Sequence, residues 1–464
     1  MTLPIGENDL LAALGAIVGE AGVRSGDSIP QRNFQDAAGL APVSPLAVVM
    51  PTTTEQVAAI LRLCRAVPVP VVVQGGMTGL AGGAHPQAGE VALSMERLRG
   101  IEEIDLESRT MTVRAGTILA EVQQAAADAG LFYGVDLGAR GSCTIGGNVA
   151  TNAGGIQVMR YGMTRRNVLG IEAVLPDGRI VRSLNKMAKN NTGYDWKELL
   201  IGSEGTLGVV TRVVLALQPA PESIQSAFCA VAGVKKAHAV LSRLEARFPG
   251  RIVAFEAMWR EYMQVATRLL ADTRPFAAEP EIALIAEAAI GDGEDARTAF
   301  VEALGSLMEE GTVLDGRVAQ SEADRKRFWT WREANYEFDR ILPPASHFDV
   351  SIAPGRMEEA ISLLRARVAS TLPGGLLVAY GHMADSNLHL AVYAADAVTP
   401  ATACDAVIYA TVGELGGSIS AEHGIGVLKR PYLALSRSAE EIELMRGLKE
   451  LFDPASILGR GRIL

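Results

Sequence analysis

Three glycine-dense stretches constrain this chain most. They are QGGMTGLAGGA at 74–84, GARGSCTIGGNVATNAGGIQ at 138–157 and NNTGYDWKELLIGSEGTLGVVT at 190–211. The first follows directly on VPVPVVV at 67–73, which reads as a buried strand, and its glycines let backbone N–H groups approach a pyrophosphate closely. It is neither a G-x-G-x-x-G dinucleotide fingerprint nor a Walker-type G-x-x-x-x-G-K, and on its own it reads equally well as a turn. The second combines small residues with Asn148 and Asn152 and carries no charge beyond Arg140, so it suits an extended ligand held by backbone and amide hydrogen bonds. The third brings Gly193, Gly202, Gly205 and Gly208 near a strand. Three such loops in one lobe are hard to explain as turns alone.

The 464 residues are enough for two or three lobes. The spacing predicts an amphipathic helix from Leu10, Leu11, Leu14, Ile17 and Val18, and a helix over 53–66 opened by a capping-box pattern, Thr53 to Gln56. IEEIDLE and TMTVRAG read as paired strands, followed by a helix capped by Thr117, running to Ala129 and ended by Gly130. VLGIEAVLPDGRIVRSLN at 168–185 reads as a hairpin about Pro176-Asp177-Gly178, and strand character returns at Val209 to Leu217. QPAPES, with Pro219 and Pro221, marks a boundary. Beyond it RIVAFEAM, EIALIAEAAI, GGLLVAYGH and NLHLAVYA read as strands, and 293–309 and 400–415 as helices. The reading is α+β, with a first lobe over 1–219, a second over 220–420 and a tail over 421–464 returning to the first. No internal repeat or low-complexity segment is present.

Hydrophobic residues make up 48% and charged residues 21%, ordinary for a globular enzyme. A net charge of −10 with no basic run argues against tracking a nucleic-acid backbone. Cys64, Cys143, Cys229 and Cys404 lie far apart, with no C-x-x-C, iron–sulfur run or disulfide framework, which fits a reducing cytoplasm. The N-terminus lacks the basic lead and cleavage site of a signal peptide, so the mature chain is expected to be the whole chain, and no apolar run is long enough to span a membrane.

Chemistry concentrates late in the chain. HMADSNLH at 382–389 and EHG at 422–424 hold three of the 6 histidines. His382, His389 and Glu422 form a nitrogen and oxygen set suited to a catalytic zinc-type site, with His423 beside it as a base. On spacing alone they read also as hydrogen-bonded core histidines and an ordinary exposed carboxylate. Arg332, in FWTWREANYE, reads from composition as a surface arginine on an amphipathic helix.

GGMTGLAGG, GSCTIGGNVATNAGG, IGSEGTLG, GH with SNLH, and EHGIG together resemble the FAD-linked D-2-hydroxy acid dehydrogenases of the vanillyl-alcohol-oxidase type fold, most closely the D-2-hydroxyglutarate dehydrogenases. The similarity runs from about Val49 to Leu458. It implies a two-subdomain FAD-binding lobe and an α+β substrate lobe with an antiparallel sheet. FAD would contact Gly75, Gly76, Met77, Thr78, Gly79, Leu80, Ser142, Gly146, Gly147, Asn148, Thr151, Asn152, Glu204 and Gly208, with its pyrophosphate over 75–80 and 142–148. No histidine lies in the first loop, where some relatives attach flavin covalently, and Met77 cannot form that bond, so noncovalent FAD is expected. The resemblance further implies one divalent metal, zinc or else manganese, on His382, His389 and Glu422, His423 as base, and Arg332 clamping the substrate carboxylate. If 422 and 423 lie in an extended segment, Glu422 faces the metal and His423 the hydroxyl.

Three departures touch the substrate's far end. His347 stands where a lysine is usual, Ala391 where asparagine is, and Tyr336 where threonine is. His347 and Tyr336 are therefore carried as substrate-facing candidates. D-2-hydroxyglutarate is the first expectation, D-lactate or another D-2-hydroxy acid the second, and a metal-independent oxidase or a non-catalytic flavoprotein subunit the rivals. Gly459-Arg460-Gly461-Arg462 departs too, where relatives commonly have Asn-Pro-Gly-Lys. The electron acceptor implied is an electron-transfer flavoprotein or a quinone-linked carrier. Homodimerisation is left open.

Overall fold

The computed structural model describes residues 6–270, 274–394 and 401–464. The chain divides into two compact units: Met1–Gly155, Tyr161–Ala220 and Glu422–Leu464 form one, and Ile156–Arg160 with Pro221–Ala421 the other.

The first unit holds a two-stranded pair, Leu131–Phe132 with Gln218–Pro219, and two larger sheets. In the smaller, Val23–Ser25 pairs antiparallel with Ala47–Val49, which lies parallel to Val91–Ser94, itself parallel to Val71–Gln74. The strand expected over 67–73 is confined to Val71–Gln74 because Val67 closes the preceding helix, Thr54–Ala66. Thr53 caps that helix, accepting from the Gln56 amide (3.2 Å), but the Gln56 side chain turns back to the amide of Thr52, not Thr53. The larger sheet runs Ile101–Asp105, Thr110–Arg114, Val209–Ala216, Val168–Val174 and Ile180–Ser183, all antiparallel, with the last two joined through Gly178 at φ +81°. Thr117 does not cap the helix Leu119–Asp128. Its hydroxyl instead accepts from Gly100 N (2.9 Å) and donates to Gly100 O (3.1 Å), joining the residue before Ile101–Asp105 to the loop after Thr110–Arg114.

The C-terminal tail is woven into this unit. Leu458 forms a parallel bridge with Val71, the strand that leads into the first glycine loop. Lys449 donates to Thr206 O (2.9 Å) and Leu458 O (2.8 Å), and Arg462, fully buried, forks onto both oxygens of Glu90 (2.8 Å each). The departure at 459–462 is thus a buried ion pair with its own partner, and Gly459 is required there. It has φ +54°, and a Cβ would sit 2.8 Å from Thr206 Cγ2.

The second unit is built on a seven-stranded sheet, every pairing antiparallel. Its order is Asp315–Val318, Ile224–Val231, Ile282–Ala289, Ile252–Trp259, Leu376–His382, Asn387–Tyr393, Ala345–Ser351. The central strands are buried along their whole length, and apolar but for Glu256 and Glu287, because both faces are covered, one of them in part by Arg260–Leu270 and Glu322–Glu333. The helices expected at 293–309 and 400–415 are Glu294–Glu309 and Ala401–Glu414, and residue 400 lies outside the described residues. Among the described residues no helix is long and apolar enough to cross a membrane. All four cysteines are free and buried, and burial pushes the Cys64 and Cys229 thiols up to about 12, so neither is a reactive thiolate.

Candidate active site

Strand alternation gathers the chemistry of the second unit on one face. His389 pairs with Asp349 on one side and Tyr380 on the other, and Glu256 pairs with His382. Directly opposed residues share a face, as do residues two apart. His382, Tyr380, His389, Asp349 and Glu256 therefore all project the same way. The His382 and His389 rings lie 5.1 Å apart at 83°.

Glu256 was not singled out from the sequence, although its signal was there: one acid in an otherwise apolar strand. It is fully buried. Its Oε1 meets His382 Nδ1, and its Oε2 accepts from Arg332 Nε (2.7 Å). Burial alone would raise its pKa, but its contacts with His382 and with the Arg332 guanidinium outweigh that and hold it down to about 2. An ionised Glu256 fixes the proton of His382 on Nδ1, so Nε2 keeps the lone pair a metal needs.

Arg332 is 7% exposed, not the surface arginine its helix composition suggests. Phe328 and Trp331 are buried on the same helix, and position 332 follows Phe328 by one turn, so it faces inward with them. Tyr262 donates to Arg332 O (2.6 Å), satisfying a carbonyl at the helix end, and the guanidinium lies over the Tyr380 ring at 4.7 Å. Its hydrogen-bond contact among the described residues is the one to Glu256 through Nε.

The chain passes from the second unit to the first after Ala421, whose amide donates to Asp349 Oδ2 (3.1 Å). Glu422 follows. His382, His389 and Glu422 each offer a ligand atom, all within 4.8 Å of one another, and Asp349, Glu422 and His423 meet the same limit. Two imidazoles and one carboxylate suit zinc and leave coordination positions for other oxygens. Residues 421–423 form bends and not an extended strand, so strand alternation is not what orients Glu422 and His423. Asp349 Oδ1 lies 3.9 Å from His389 Nδ1.

The other two substrate candidates are more open. Tyr336 is 73% exposed. His347 is exposed and lies opposite Ala391. Despite that exposure its ring is crowded enough for partial burial to lower its pKa, with Asp339 opposing. It is therefore neutral at neutral pH.

In the first unit the loop 75–80 abuts 142–147. A Cβ on Gly76 would lie 2.0 Å from Ser142 O, and one on Gly75 2.6 Å from Thr144 Oγ1. Met77 is held at φ +59°, and Leu80 is 46% exposed. Two loops packed backbone to backbone, with Thr78, Gly79, Gly146 and Gly147 only partly covered, fit the approach of a pyrophosphate. Thr144 caps the helix Ile145–Thr151, which carries Asn148, and Thr151 bonds back to Gly147 O (3.0 Å). Asn152 ends it in the left-handed conformation, and its side-chain carbonyl accepts from Arg165 N (2.9 Å). Gly208 packs against Val174 and Leu200. The Glu204 carboxylate accepts from Ile425 N (2.7 Å) and Gly426 N (2.8 Å), and burial pushes its pKa up while these two amides oppose the shift.

Comparison with known proteins completes the picture. Residues 45–183 match the FAD binding domain family, and residues 220–463 the C-terminal domain of FAD linked oxidases. The structure of p-cresol methylhydroxylase superimposes with a TM-score of 0.77 over 98% of this chain and 96% of that one, at 16% identity, which establishes the fold. The class is thus a flavoprotein of the vanillyl-alcohol-oxidase type.

A D-2-hydroxyglutarate dehydrogenase of Xanthomonas citri pv. viticola is 39% identical over 426 residues, covering 90% of this chain and 89% of the relative. The mitochondrial D-2-hydroxyglutarate dehydrogenase of Bos taurus is 38% identical over 419 residues, covering 89% and 76%. The chain belongs to this family of FAD-linked D-2-hydroxy acid dehydrogenases.

Proposed function

We propose that this protein oxidises D-2-hydroxyglutarate to its 2-oxo acid, using FAD and one divalent metal held by His382, His389 and Glu422. The observation that carries the reading is the convergence of those three ligand atoms within 4.8 Å, backed by a buried carboxylate that sets the tautomer of one of them. When bound, FAD supplies an acceptor for the hydride of the α carbon, and a divalent cation lowers the pKa of a coordinated hydroxyl. Arg332, with Nε committed to Glu256, binds the substrate carboxylate through its outer nitrogens. His423 takes the hydroxyl proton on its imidazole. Glu256 orients both His382 and Arg332, so one buried side chain serves metal and substrate. FAD is held noncovalently, and the electrons pass on to an electron-transfer flavoprotein or a quinone-linked carrier in the cytoplasm.

Ala391 and a neutral His347, opposed in register, favour a second reading. Without a fixed positive charge or an amide there, a buried second carboxylate goes uncompensated at a cost of about 1–3 kcal/mol, more if it is charged, and D-lactate becomes the better substrate. Anaerobic titration with D- and L-2-hydroxy acids, following flavin bleaching with and without a chelator, tests both. Bleaching by a D-acid that a chelator abolishes is expected. Undiminished bleaching after complete metal removal overturns the metal role, and no turnover of the five-carbon diacid overturns the first substrate. His423→Ala should keep FAD and metal yet lose flavin reduction, and a normal reduction rate excludes His423 as the base.

A further inference from the structure

We propose that Glu204 is the positioning residue of the loop that carries Glu422 and His423, and not a contact to the cofactor. This rests on the metal and base assignment above. The side chain spans 221 and 222 residues of sequence to place one oxygen on each of two consecutive amides, Ile425 N (2.7 Å) and Gly426 N (2.8 Å), immediately after the His423-Gly424 pair. It does so from a left-handed backbone, φ +51°, a conformation that costs a non-glycine residue free energy and persists only where surroundings impose it. Its own amide donates to Ala150 O (2.7 Å), so the residue is tied at one end to the Ile145–Thr151 helix and at the other to the 425–426 backbone.

The surroundings are shaped to receive that carboxylate. Gly424 sits at φ +80°, where a Cβ would come 2.8 Å from Glu204 Oε1, and a Cβ on Gly83 would lie 3.2 Å from Oε2. The loop continues under the same restraint. Val427 N and Leu428 N both donate to Ala81 O (2.9 and 3.1 Å), and Ile463 N donates to Gly426 O (3.0 Å). A carboxylate satisfying two adjacent amides fixes the direction in which the preceding residues leave, because charge-assisted bonds are short and directional. Residues 422 and 423 gain their fixed placement from it.

The test uses the FAD-loaded protein stripped of metal, comparing wild type with Glu204→Gln. The amide has one acceptor oxygen, so one of the two amides loses its partner. Hydrogen exchange at one of Ile425 and Gly426 should rise at least about tenfold, the loss of one charge-assisted bond. Zn2+ affinity, measured by chelator competition, should fall about 10- to 100-fold, as when a metal ligand loses its support. FAD stoichiometry should not change, and once Zn2+ is restored kcat should fall more than KM rises. Unchanged exchange with unchanged Zn2+ affinity overturns the proposal, as does loss of FAD in step with activity. If wild type binds no Zn2+, the metal assignment fails, while the exchange measurement still decides whether Glu204 holds the loop. Should Glu204→Gln not fold, Glu204→Asp, one methylene too short for both amides, is measured the same way.

Discussion

Replacing Glu256 by glutamine probes the site most directly, because the change is nearly isosteric and its consequences are opposite at two donors. The native carboxylate meets Arg332 Nε–H at 2.7 Å and His382 Nδ1 with its other oxygen. A glutamine offers one acceptor. With its oxygen kept on Arg332, its NH2 faces His382 and is satisfied only if Nδ1 gives up its proton, which moves the proton to Nε2 and blocks the nitrogen a metal requires. Zn2+ affinity should therefore fall about 10- to 100-fold, or about 1.4–2.8 kcal/mol. Arg332 also loses its counterion while buried, and breaking a pair of this kind costs about 3–5 kcal/mol of stability. Chelator competition for Zn2+ and thermal unfolding, run on the same preparations, separate the two effects. A Glu256→Gln protein with wild-type Zn2+ affinity refutes the tautomer argument, and one with an unchanged melting temperature refutes the buried-pair argument.

Glu172 gives a pH prediction. Burial opposes ionisation of this fully buried carboxylate, but hydrogen bonds from Thr54, Thr211 and Arg182 hold its pKa below 4.5. A depressed carboxylate stabilises the fold above its unfolded value, and that contribution is lost as pH falls from 4.5 through the lower folded value. Glu172→Gln should thus be less stable at pH 7 by about 1.5–3 kcal/mol and lose less on acidification; a parallel acid-unfolding curve by circular dichroism would contradict this. Denaturation followed by gel filtration should release all flavin, and flavin migrating with the protein would disprove noncovalent binding. If His347 meets a second carboxylate it must be protonated, so preference for D-2-hydroxyglutarate over D-lactate should decline as pH rises from 5.5 to 8; a pH-independent ratio of kcat/KM excludes that contact.

Much was legible along the chain because its causes are local. The Thr53 cap, the Pro176-Asp177-Gly178 hairpin and the apolar strand runs depend on neighbours a few residues away. Thr117 shows the limit: its hydroxyl suits a cap, but Gly100, brought close by strand pairing, takes it instead. The candidate metal ligands were visible through the spacing of rare histidines, but the inward turn of Arg332 was not, since its helix is polar by composition and only packing decides which side is covered.

Sequence by itself determined the α+β class, the three glycine-lined loops and the residue types able to hold a metal, because these follow from backbone freedom, side-chain periodicity and donor chemistry. Tertiary structure decided which carboxylates serve them. Glu256 reaches His382 across 126 residues, Glu204 reaches Gly426 across 222, and Arg462 reaches Glu90 across 372. A buried charge is tolerated only beside its partner, and that partner is chosen by folded geometry at separations where local pattern carries no signal.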